Sequence, residues 1–423
     1  MGSIQQLLVA VIALGIDSVT AQSTPSAPVA PQFQAPPNVG RGTGQYTDSA
    51  HFRIWGTASQ AKSTINELEA AYSCFVDGMG YRSTGLSYND AGNSGPFYKM
   101  NVYSKASLGN AAGVMQSDPR TGLSFLQIIA SSLTDPKVSV HEWGHALAYH
   151  GQTWVNQGNT GAWWETVANF VADTYMTSPM CAEARQQFNQ PEGRTIVALA
   201  KVIGASHQVL VDGSSGSGNH YEAWPFLAYL TYNPDKYPAL GEMTMRELFR
   251  QYKKGSNETP LHTVARVSTG ASVQKLVGRY WARMAYGDIG HAQIKSAFAT
   301  SGARYIRPSL DAAGAGTYRV KAARAPKYFG ANIIPLKGSG AVSVMVTAPS
   351  AFTATLAIKP ATGAVRYVDL VDGAGQATLA AGEAASLVVA NTPAQLYTYD
   401  PFQISGNVAR GLSYQVQLTG ATV

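Results

Sequence analysis

The spacing of the hydrophobic residues changes near Arg307, and this change constrains the fold more than any other feature of the chain. Before it, apolar residues recur at helical spacing. After it, short β-branched segments alternate apolar and polar residues, as in AVSVMVTA, FTATLAIK and ASLVVAN. Such segments, separated by turn residues at short spacing, are typical of an antiparallel sandwich or barrel. We therefore expect an α+β domain, mostly helical in its later part, followed by an all-β, sandwich-like domain.

The length of 423 residues supports two folded domains, which we expect at 46–307 and 308–423. At the N-terminus, the apolar run Leu7–Ile16 is too short to span a membrane. The small residues ending at Ala21 suit signal peptidase, so residues 1–21 are predicted to be a signal peptide. The alternative is a buried N-terminal strand or helix.

Residues 22–45 are rich in proline and are predicted to be a linker, with order beginning near Tyr46. No second apolar run of 18 residues follows, so we expect no membrane anchor. The low charged fraction of 13% suits an extracellular protein. Cys74 and Cys181 form an even pair, which in an oxidising compartment predicts a disulfide; two buried free thiols are the alternative.

The net charge of +6 is mild, and no run of Lys and Arg is dense enough for a nucleic-acid interface. We therefore expect no nucleic-acid partner. The charge could give weak attraction to an anionic polysaccharide, or it could serve solubility alone.

Local signals predict several element boundaries. Thr57 and Thr244 each open a capping-box pattern, and Thr134-Asp135-Pro136 is a strong helix start because a capping side chain precedes a proline. Helices and strands are expected at the following places: strands at 51–55, 98–103, 113–116 and 125–130, and helices at 163–177, 194–205, 221–231, 244–254 and 272–286.

The helix that starts near Asp135 carries the sequence HEWGH, from His141 to His145. Residues i and i+4 lie on one face of a helix, so both imidazoles can bind a single zinc ion. Glu142 then lies beside the open position of the metal, where it can take a proton from the attacking water and pass it to a leaving amine. The pattern therefore predicts a catalytic zinc site. Two helix histidines without a metal are the alternative.

A catalytic zinc ion needs a third protein ligand. His150 lies five residues after His145, about 140° around the helix, so it cannot reach the same ion. We predict that Glu165 is the third ligand, because the helix that carries it follows a short Gly/Asn-rich connection and can pack antiparallel to the first. Asn169, or alternatively Asp173, could orient an imidazole from the same helix.

In these residues the chain resembles the gluzincin metallopeptidases, whose motif is H-E-x-x-H with a Glu on the following helix. It is more closely similar to a family of secreted fungal and bacterial proteins that includes the Svx-type avirulence proteins of plant pathogens. The matching stretches are HFRIWG, AAGVMQSD, VHEWGHAL, WWETVANFVAD, HYEAWPFLAYL and KYFGANIIPL. The chain departs from the gluzincin pattern at Asn169, where Asp is usual. The resemblance implies a zincin-like peptidase domain, a C-terminal β domain and a role in virulence at a host or wall surface.

Gluzincins also use a His or Tyr from a later segment to stabilise the oxyanion. The resemblance therefore implies that His220 or Tyr221, which follow a GSSGSG loop, supplies this donor; helix capping is the alternative. The segment 112–118 could be an edge strand that aligns an extended peptide. Trp154, in the loop after the zinc helix, could line a substrate pocket or pack in the core.

Together these features predict a secreted zinc endopeptidase that binds one Zn²⁺ and acts, as a monomer, on protein or glycoprotein substrates. Two alternatives stay open at this point. One is a zinc-containing effector or binding protein without catalytic activity. The other is a zinc hydrolase that acts on wall polymers rather than peptides.

Overall fold

The structure, a computed structural model, describes residues 31–256 and 258–423. The chain is α+β, and residues Phe33–Val423 form one compact unit. The helices lie mainly between an N-terminal mixed sheet and a C-terminal antiparallel sheet region. The predicted α+β class with a later β region is therefore confirmed. The predicted division at 307/308 stays a prediction.

The N-terminal strands form a five-stranded sheet and a small separate pair. They are β1 (Phe33–Gln34), β2 (Tyr46–Asp48), β3 (Phe52–Trp55), β4 (Phe97–Tyr98), β5 (Met100–Lys105), β6 (Gly113–Asp118) and β7 (Leu123–Ile129). The sheet order is β2-β3-β5-β7-β6, in which β3, β5 and β7 are parallel and the two outer strands are antiparallel to their neighbours. The four strands expected in this half of the chain are present.

The helices of the described residues occupy most of the middle of the chain. They are α1 (Ala58–Tyr72), α2 (Pro136–His150), α3 (Gln157–Thr177), α4 (Ala182–Gln187), α5 (Leu199–Val202), α6 (Asn219–Glu222), α7 (Trp224–Tyr232), α8 (Thr244–Gln251), α9 (Pro260–Val267), α10 (Val273–Met284), α11 (Ala292–Ser301) and α12 (Gly406–Ala409). The region expected as one helix at 194–205 keeps only the four residues of α5.

The helix starts show which capping signals operate. Asp135 caps α2 as predicted, because its side chain accepts the backbone N–H of Lys137. Neither predicted capping box forms. The hydroxyl of Thr57 donates to the side chain of Gln60 instead, and Thr244 lies inside the first turn of α8, where its hydroxyl accepts the N–H of Gly241.

Order begins earlier than the expected position at Tyr46. β1 pairs with β4 in parallel, and Val39 is buried against Tyr103, Leu123 and Phe125. The sequence did not predict these contacts because the segment is rich in proline. Two apolar side chains are nevertheless enough to anchor a short extended segment to a sheet. The predicted signal peptide, residues 1–21, lies outside the described residues.

A disulfide joins Cys74 to Cys181, whose Cα atoms are 5.1 Å apart. Cys74 lies in the π-helical turn Ser73–Gly78 after α1, and Cys181 ends the 3₁₀ turn Pro179–Cys181 after α3. The bond therefore ties the ends of two helices that flank α2. No helix within residues 31–256 and 258–423 combines the length and the hydrophobicity needed to cross a bilayer.

The C-terminal sheet region is antiparallel throughout. Its strands are β8 (Leu310–Gly314), β9 (Thr317–Val320), β10 (Ala331–Thr347), β11 (Thr353–Lys359), β12 (Arg366–Asp369), β13 (Ala374–Leu379), β14 (Ala384–Ala390) and β15 (Gln415–Thr422). The first part of β10 pairs with β14, and its second part pairs with β13 and β15. The long strand β10 therefore takes part both in the ladder with β14 and in the ladders with β13 and β15.

The two faces of β11 and β14 have different partners, which explains their continuous apolar sequences. Leu356 and Leu387 lie in a core formed by the β strands alone. Ala357 and Val388 instead join the large core that includes the helices, against α10. Strands buried on both faces need apolar residues at every position, so the alternation expected from the sequence is lost there.

Candidate metal centre

Helices α2 and α3 pack closely at Gly144. A β-carbon added to Gly144 would lie 3.0 Å from Cα of Ala168 and 3.1 Å from Cβ of Val171. Only a glycine lets the two helices approach this far. The contacts run in opposite order along the two helices, since His141 meets Asn169 and His145 meets Glu165. The helices are therefore antiparallel, as the sequence predicted.

This packing brings three possible metal ligands together. The ligand atoms of His141, His145 and Glu165 all lie within 4.8 Å of one another. Oε2 of Glu165 lies 3.2 Å from Nε2 of His141 and 3.5 Å from Nε2 of His145. The two histidines predicted from helical spacing and the predicted third ligand, Glu165, therefore lie in one cluster. This cluster could hold a metal ion.

A side-chain amide fixes the orientation of His141. Its Nδ1 lies 2.8 Å from Oδ1 of Asn169, and Nδ2 of Asn169 donates to the backbone oxygen of Tyr221 at 2.7 Å. Because the amide oxygen can only accept, Nδ1 carries the proton and Nε2 is left free to bind a metal. Nδ1 of His145 is buried and has no partner among the described residues.

Asp173 does not take the orienting role that was its alternative. It is buried one turn beyond Asn169, where its carboxylate lies 2.7 Å from Nε2 of His291 and accepts hydrogen bonds from Thr195 and Ile196. The register of α3 explains the difference, because a residue eight positions after Glu165 lies too far along the helix to reach the histidines.

The ionisation of the cluster follows from its contacts. Burial lowers the pKa of His141, but the hydrogen bond to Glu165 and the nearby charges of Glu142 and Glu165 outweigh it and raise the pKa overall. Burial raises the pKa of Glu165, yet its hydrogen bonds to both histidines hold that pKa well below the ordinary value. Glu165 is therefore a carboxylate, the form that binds a metal.

Glu142 follows His141 on α2 and is 7% exposed. Burial is the largest influence on its pKa and raises it, against the opposing effect of His145 and His141. Its side chain lies directly over Gly113, where an added β-carbon would be 2.6 Å from Cγ and 2.9 Å from Oε1. The glycine thus makes room for the carboxylate beside the cluster.

Gly113 begins β6, which is the edge strand of its sheet. Within the described residues, β6 pairs with no strand other than β7, and on its other edge the backbone N–H of Met115 donates to the carboxylate of Glu142. The middle of β6 is only partly buried. The predicted edge strand is therefore present, and it begins in contact with Glu142.

Tyr221 and His220 point to different places. The pKa of Tyr221 is raised to about 12, first by burial and then by the charge and hydrogen bond of Glu165. Its hydroxyl therefore lies at the cluster, although its ring is 42% exposed. His220 turns away, with Nδ1 3.2 Å from the backbone oxygen of Asp212. The left-handed conformation of Gly218 precedes this turn of chain.

Two tryptophans near the cluster have different environments. Trp154 is fully buried, so it packs in the core, which is one of its two expected roles, and it does not line a substrate pocket. Trp164 is partly exposed and stacks on His145, with ring centroids 6.0 Å apart. Its Nε1 donates to the backbone oxygen of Trp154 at 2.6 Å, which fixes the indole beside the cluster.

His150 is remote from the metal ligands, in agreement with its helical angle. It is fully buried, with Nδ1 2.5 Å from the backbone oxygen of Leu86 and Nε2 2.8 Å from the hydroxyl of Ser124. Burial lowers its pKa to about 3, so the ring is neutral. It therefore joins α2 to strand β7 and to the loop that contains Leu86.

Sequence reasoning missed Gly113, Gly144 and Trp164 as parts of the site. Gly144 lies inside the motif itself, where a glycine in a helix interior is unfavourable and therefore signals close packing. Gly113 and Trp164 carry no comparable signal, because their importance depends on which elements lie beside them.

Comparison with known proteins places the chain in a family. A search of curated proteins finds no match. The model of a family described as "Family of unknown function (DUF6055)" matches residues 40–350. That match covers α1 to α11, the N-terminal sheet and the start of the C-terminal one, including every residue of the cluster. The chain therefore belongs to the DUF6055 family.

Proposed function

We propose that the protein is a secreted zinc-dependent endopeptidase that hydrolyses peptide bonds of extracellular proteins or glycoproteins. One observation carries the proposal. A three-donor cluster, a buried glutamate and an edge β-strand meet at one point, where Glu142 follows His141 on α2 and packs against Gly113. The domain that holds them would be zincin-like, with a sandwich-like C-terminal region.

The donor set fits zinc. Two imidazole nitrogens and one carboxylate oxygen are a known catalytic zinc triad, which leaves a fourth position open. In a tetrahedral site with bonds of about 2.0–2.1 Å, neighbouring ligand atoms are about 3.4 Å apart. The distances of 3.2 and 3.5 Å between Glu165 and the two histidines agree with this value. His141, His145 and Glu165 would hold the ion.

The buried Glu142 is suited to general base and acid catalysis. When bound, zinc would supply Lewis-acid chemistry, polarising the scissile carbonyl and favouring ionisation of water. Glu142 would accept a proton from the attacking water on Oε1 or Oε2 and later donate it to the departing amine. Its carboxylate is held in place between α2 and Gly113, so it needs no rearrangement to face the cluster.

The free edge of β6 favours a peptide substrate over a polysaccharide. An extended peptide can pair with the unpaired backbone groups of an edge strand, and the affinity then comes from main-chain hydrogen bonds. Since β6 begins at Gly113, a peptide paired along it would pass beside Glu142. A polysaccharide has no backbone amides that could form such a ladder.

Tyr221 is the better of the two candidate oxyanion donors. Its hydroxyl is at Glu165 whereas His220 faces Asp212, so Tyr221 can donate a hydrogen bond to the developing negative charge. Secretion is supported by the predicted signal peptide at residues 1–21 and by the Cys74–Cys181 disulfide, which suits an oxidising compartment.

The test combines metal analysis with a cleavage screen on the secreted full-length protein. We expect one zinc per chain, and chelator-sensitive cleavage of a denatured protein mixture. Glu142→Gln should keep the zinc and lose cleavage by about a thousandfold or more, whereas Glu183→Gln, an exposed glutamate on α4, should change neither.

Two other results would reject the proposal in different ways. Stoichiometric zinc without cleavage by the wild-type protein would indicate a binding protein. Cleavage that survives in Glu142→Gln would show that the activity comes from elsewhere.

A further inference from the structure

A second site lies in the C-terminal half of the chain, where a pocket of about 640 Å³ opens to solvent. Its lining comes from the segment after α5, from the end of β9 and the segment that follows it, and from the end of α12 and the segment that follows it. The polar part of the lining is His207, Gln208, Arg319, Lys327 and Ser413, and the rest is four alanines, Gly411 and Val320. The lining contains no carboxylate and no Phe, Tyr or Trp.

The basic residues at this pocket are not neutralised by neighbours. Arg319 and Lys327 line it, while Arg324 and Arg410 are flanked on both sides by lining residues. Within the described chain, none of these four takes part in an ion pair. Asp311, which faces Arg319 in the β8–β9 ladder, contacts Lys321 instead, at 3.8 Å.

Two buried nitrogen atoms at the pocket have no hydrogen-bond partner in the described residues. They are Nδ1 of His207 and Nε of Arg324. Buried polar nitrogens normally have a hydrogen-bond partner, because a nitrogen left unpaired has lost its bond to water without a replacement. The rest of the Arg324 guanidinium is held by the backbone oxygen of Gly204, at 3.0 Å, so its charge stays in place at the pocket.

The surroundings of His207 show how positive the pocket is. Burial lowers its pKa, and Arg324, Lys327 and Lys201 lower it further, to about 4. Burial is the largest cause, and the three cations add to it because the lining contains no carboxylate to offset their charge. A bound anion would reverse this effect and pair with the same cations.

From this juxtaposition of His207, Arg319 and Lys327 in the lining, with Arg324 close to His207 and two buried nitrogens unpartnered in the described residues, we propose a binding site for an anionic polysaccharide. Each pocket would take one sugar unit through its carboxylate or sulfate group. A volume of about 640 Å³ suits a ligand of that size. The small alanine and glycine side chains leave the cations accessible to a bulky ring.

Other macromolecules fit the pocket less well. An acidic peptide would gain affinity from an edge strand, but β9, which carries Arg319, is already paired on both sides, with β8 and β15. A nucleic acid would be bound by a wide basic surface with aromatic rings for its bases, and the lining provides neither.

This site is separate from the metal centre, so it would retain the protein on a charged matrix whether or not peptide cleavage occurs. The test uses the full-length protein carrying Glu142→Gln, which separates binding from any cleavage. Affinity is measured by calorimetry for alginate oligosaccharides, dextran sulfate, neutral dextran, inorganic phosphate and a poly-glutamate peptide.

We expect binding of alginate or dextran sulfate, with no binding of neutral dextran and with affinity that falls as salt is added. The double variant Arg319→Ala and Lys327→Ala should bind at least about tenfold more weakly, because it removes two charge-assisted hydrogen bonds to the anion. The control, Lys62→Ala with Arg194→Ala, removes two exposed charges elsewhere and should bind like the parent.

Three outcomes would overturn the proposal. Equal weakening in the control would show that only the net charge matters. Tighter binding of poly-glutamate would identify an acidic protein partner, and binding of phosphate without either polymer would identify a small-anion site. Circular dichroism of both double variants establishes that each is folded, so a loss of binding is not a loss of structure.

Discussion

Gly113 and Glu142 are in such close contact that the glycine leaves no room for a side chain: an added β-carbon would lie 2.6 Å from Cγ of the glutamate. The residues belong to different elements, the edge strand β6 and the helix α2. The position of the predicted catalytic carboxylate is therefore determined by the first residue of the strand that we propose aligns the substrate.

Gly113→Ala should lower peptide cleavage by about 10- to 100-fold, because the methyl group pushes the carboxylate out of position. Zinc content should not change, since no ligand is touched. The control is Gly158→Ala, which should keep full activity, because the nearest atom to an added β-carbon there is 3.6 Å away. Unchanged activity in Gly113→Ala would show that the glutamate does not need this position.

Asn169→Ala should weaken zinc binding by about 10- to 100-fold, because the amide holds the proton of His141 on Nδ1. Asn169→Asp should restore most of the affinity, since a carboxylate oxygen accepts the same hydrogen bond. Competition with a fluorescent zinc chelator measures both. Equal loss in the two variants would assign Asn169 a packing role instead, through its contact with the backbone of Tyr221.

The buried Glu67 predicts a loss of stability toward alkaline pH. Burial raises its pKa to about 8, from about 4.5 in the unfolded chain, although a hydrogen bond from Ser139 opposes the shift. Between these values the folded protein holds a proton that the unfolded chain has released, so stability falls as pH rises. From pH 4.5 to 7 the free energy of unfolding should fall by about 3 kcal/mol at most.

Urea unfolding of the zinc-free protein at several pH values measures this slope. Glu67→Gln is neutral at every pH, so this variant should lose the decline in stability between about pH 4.5 and 8. A variant whose stability declines between pH 5 and 8 as steeply as the wild type would rule out Glu67 as the cause.

His150 predicts the opposite slope on the acid side. Its folded pKa of about 3 lies below the ordinary value of 6.5, so the unfolded chain binds a proton that the folded protein does not. The free energy of unfolding should therefore rise as pH increases from about 3 to 6.5. At pH 4.5, protonation of this histidine in the unfolded chain should lower the free energy of unfolding by about 3 kcal/mol relative to neutral pH. His150→Gln keeps a donor and an acceptor for Leu86 and Ser124 but cannot titrate.

In urea titrations of the zinc-free protein, His150→Gln should show a flatter acid limb than the wild type, whatever its absolute stability. Between about pH 4.5 and 6.5 the effects of Glu67 and His150 oppose each other. The wild-type profile should therefore be nearly level there, and a single steep slope across this range would contradict both assignments.

Much of the site was predictable because its signals are local. Asp135 and Pro136 define the start of α2, helical spacing places His141 and His145 on one face, and the short connection brings Glu165 against them. Local sequence could not decide whether Asn169 or Asp173 orients the histidine. That depends on the register of α3 against α2, which the close contact at Gly144 determines.

The same limit applies to the other positions that local signals left open or misplaced. For Trp154 the sequence offered either a substrate pocket or the core, and the fold of its loop buries it in the core. Val39 lies in a proline-rich segment, and its burial depends on aromatic residues that are more than sixty positions away. Thr244 matches a capping box, but its helix begins one residue earlier than the box requires.

The long strand β10 has a consequence for how this chain loses its structure. Ile333, near its start, is buried with the helices, and Val344, near its end, is buried among the β strands. Neither core can melt without pulling the same strand out of the other, so heat should unfold both cores in one cooperative transition. Calorimetry should accordingly record a single peak, and a protease that cuts before β10 should not release a stably folded C-terminal fragment.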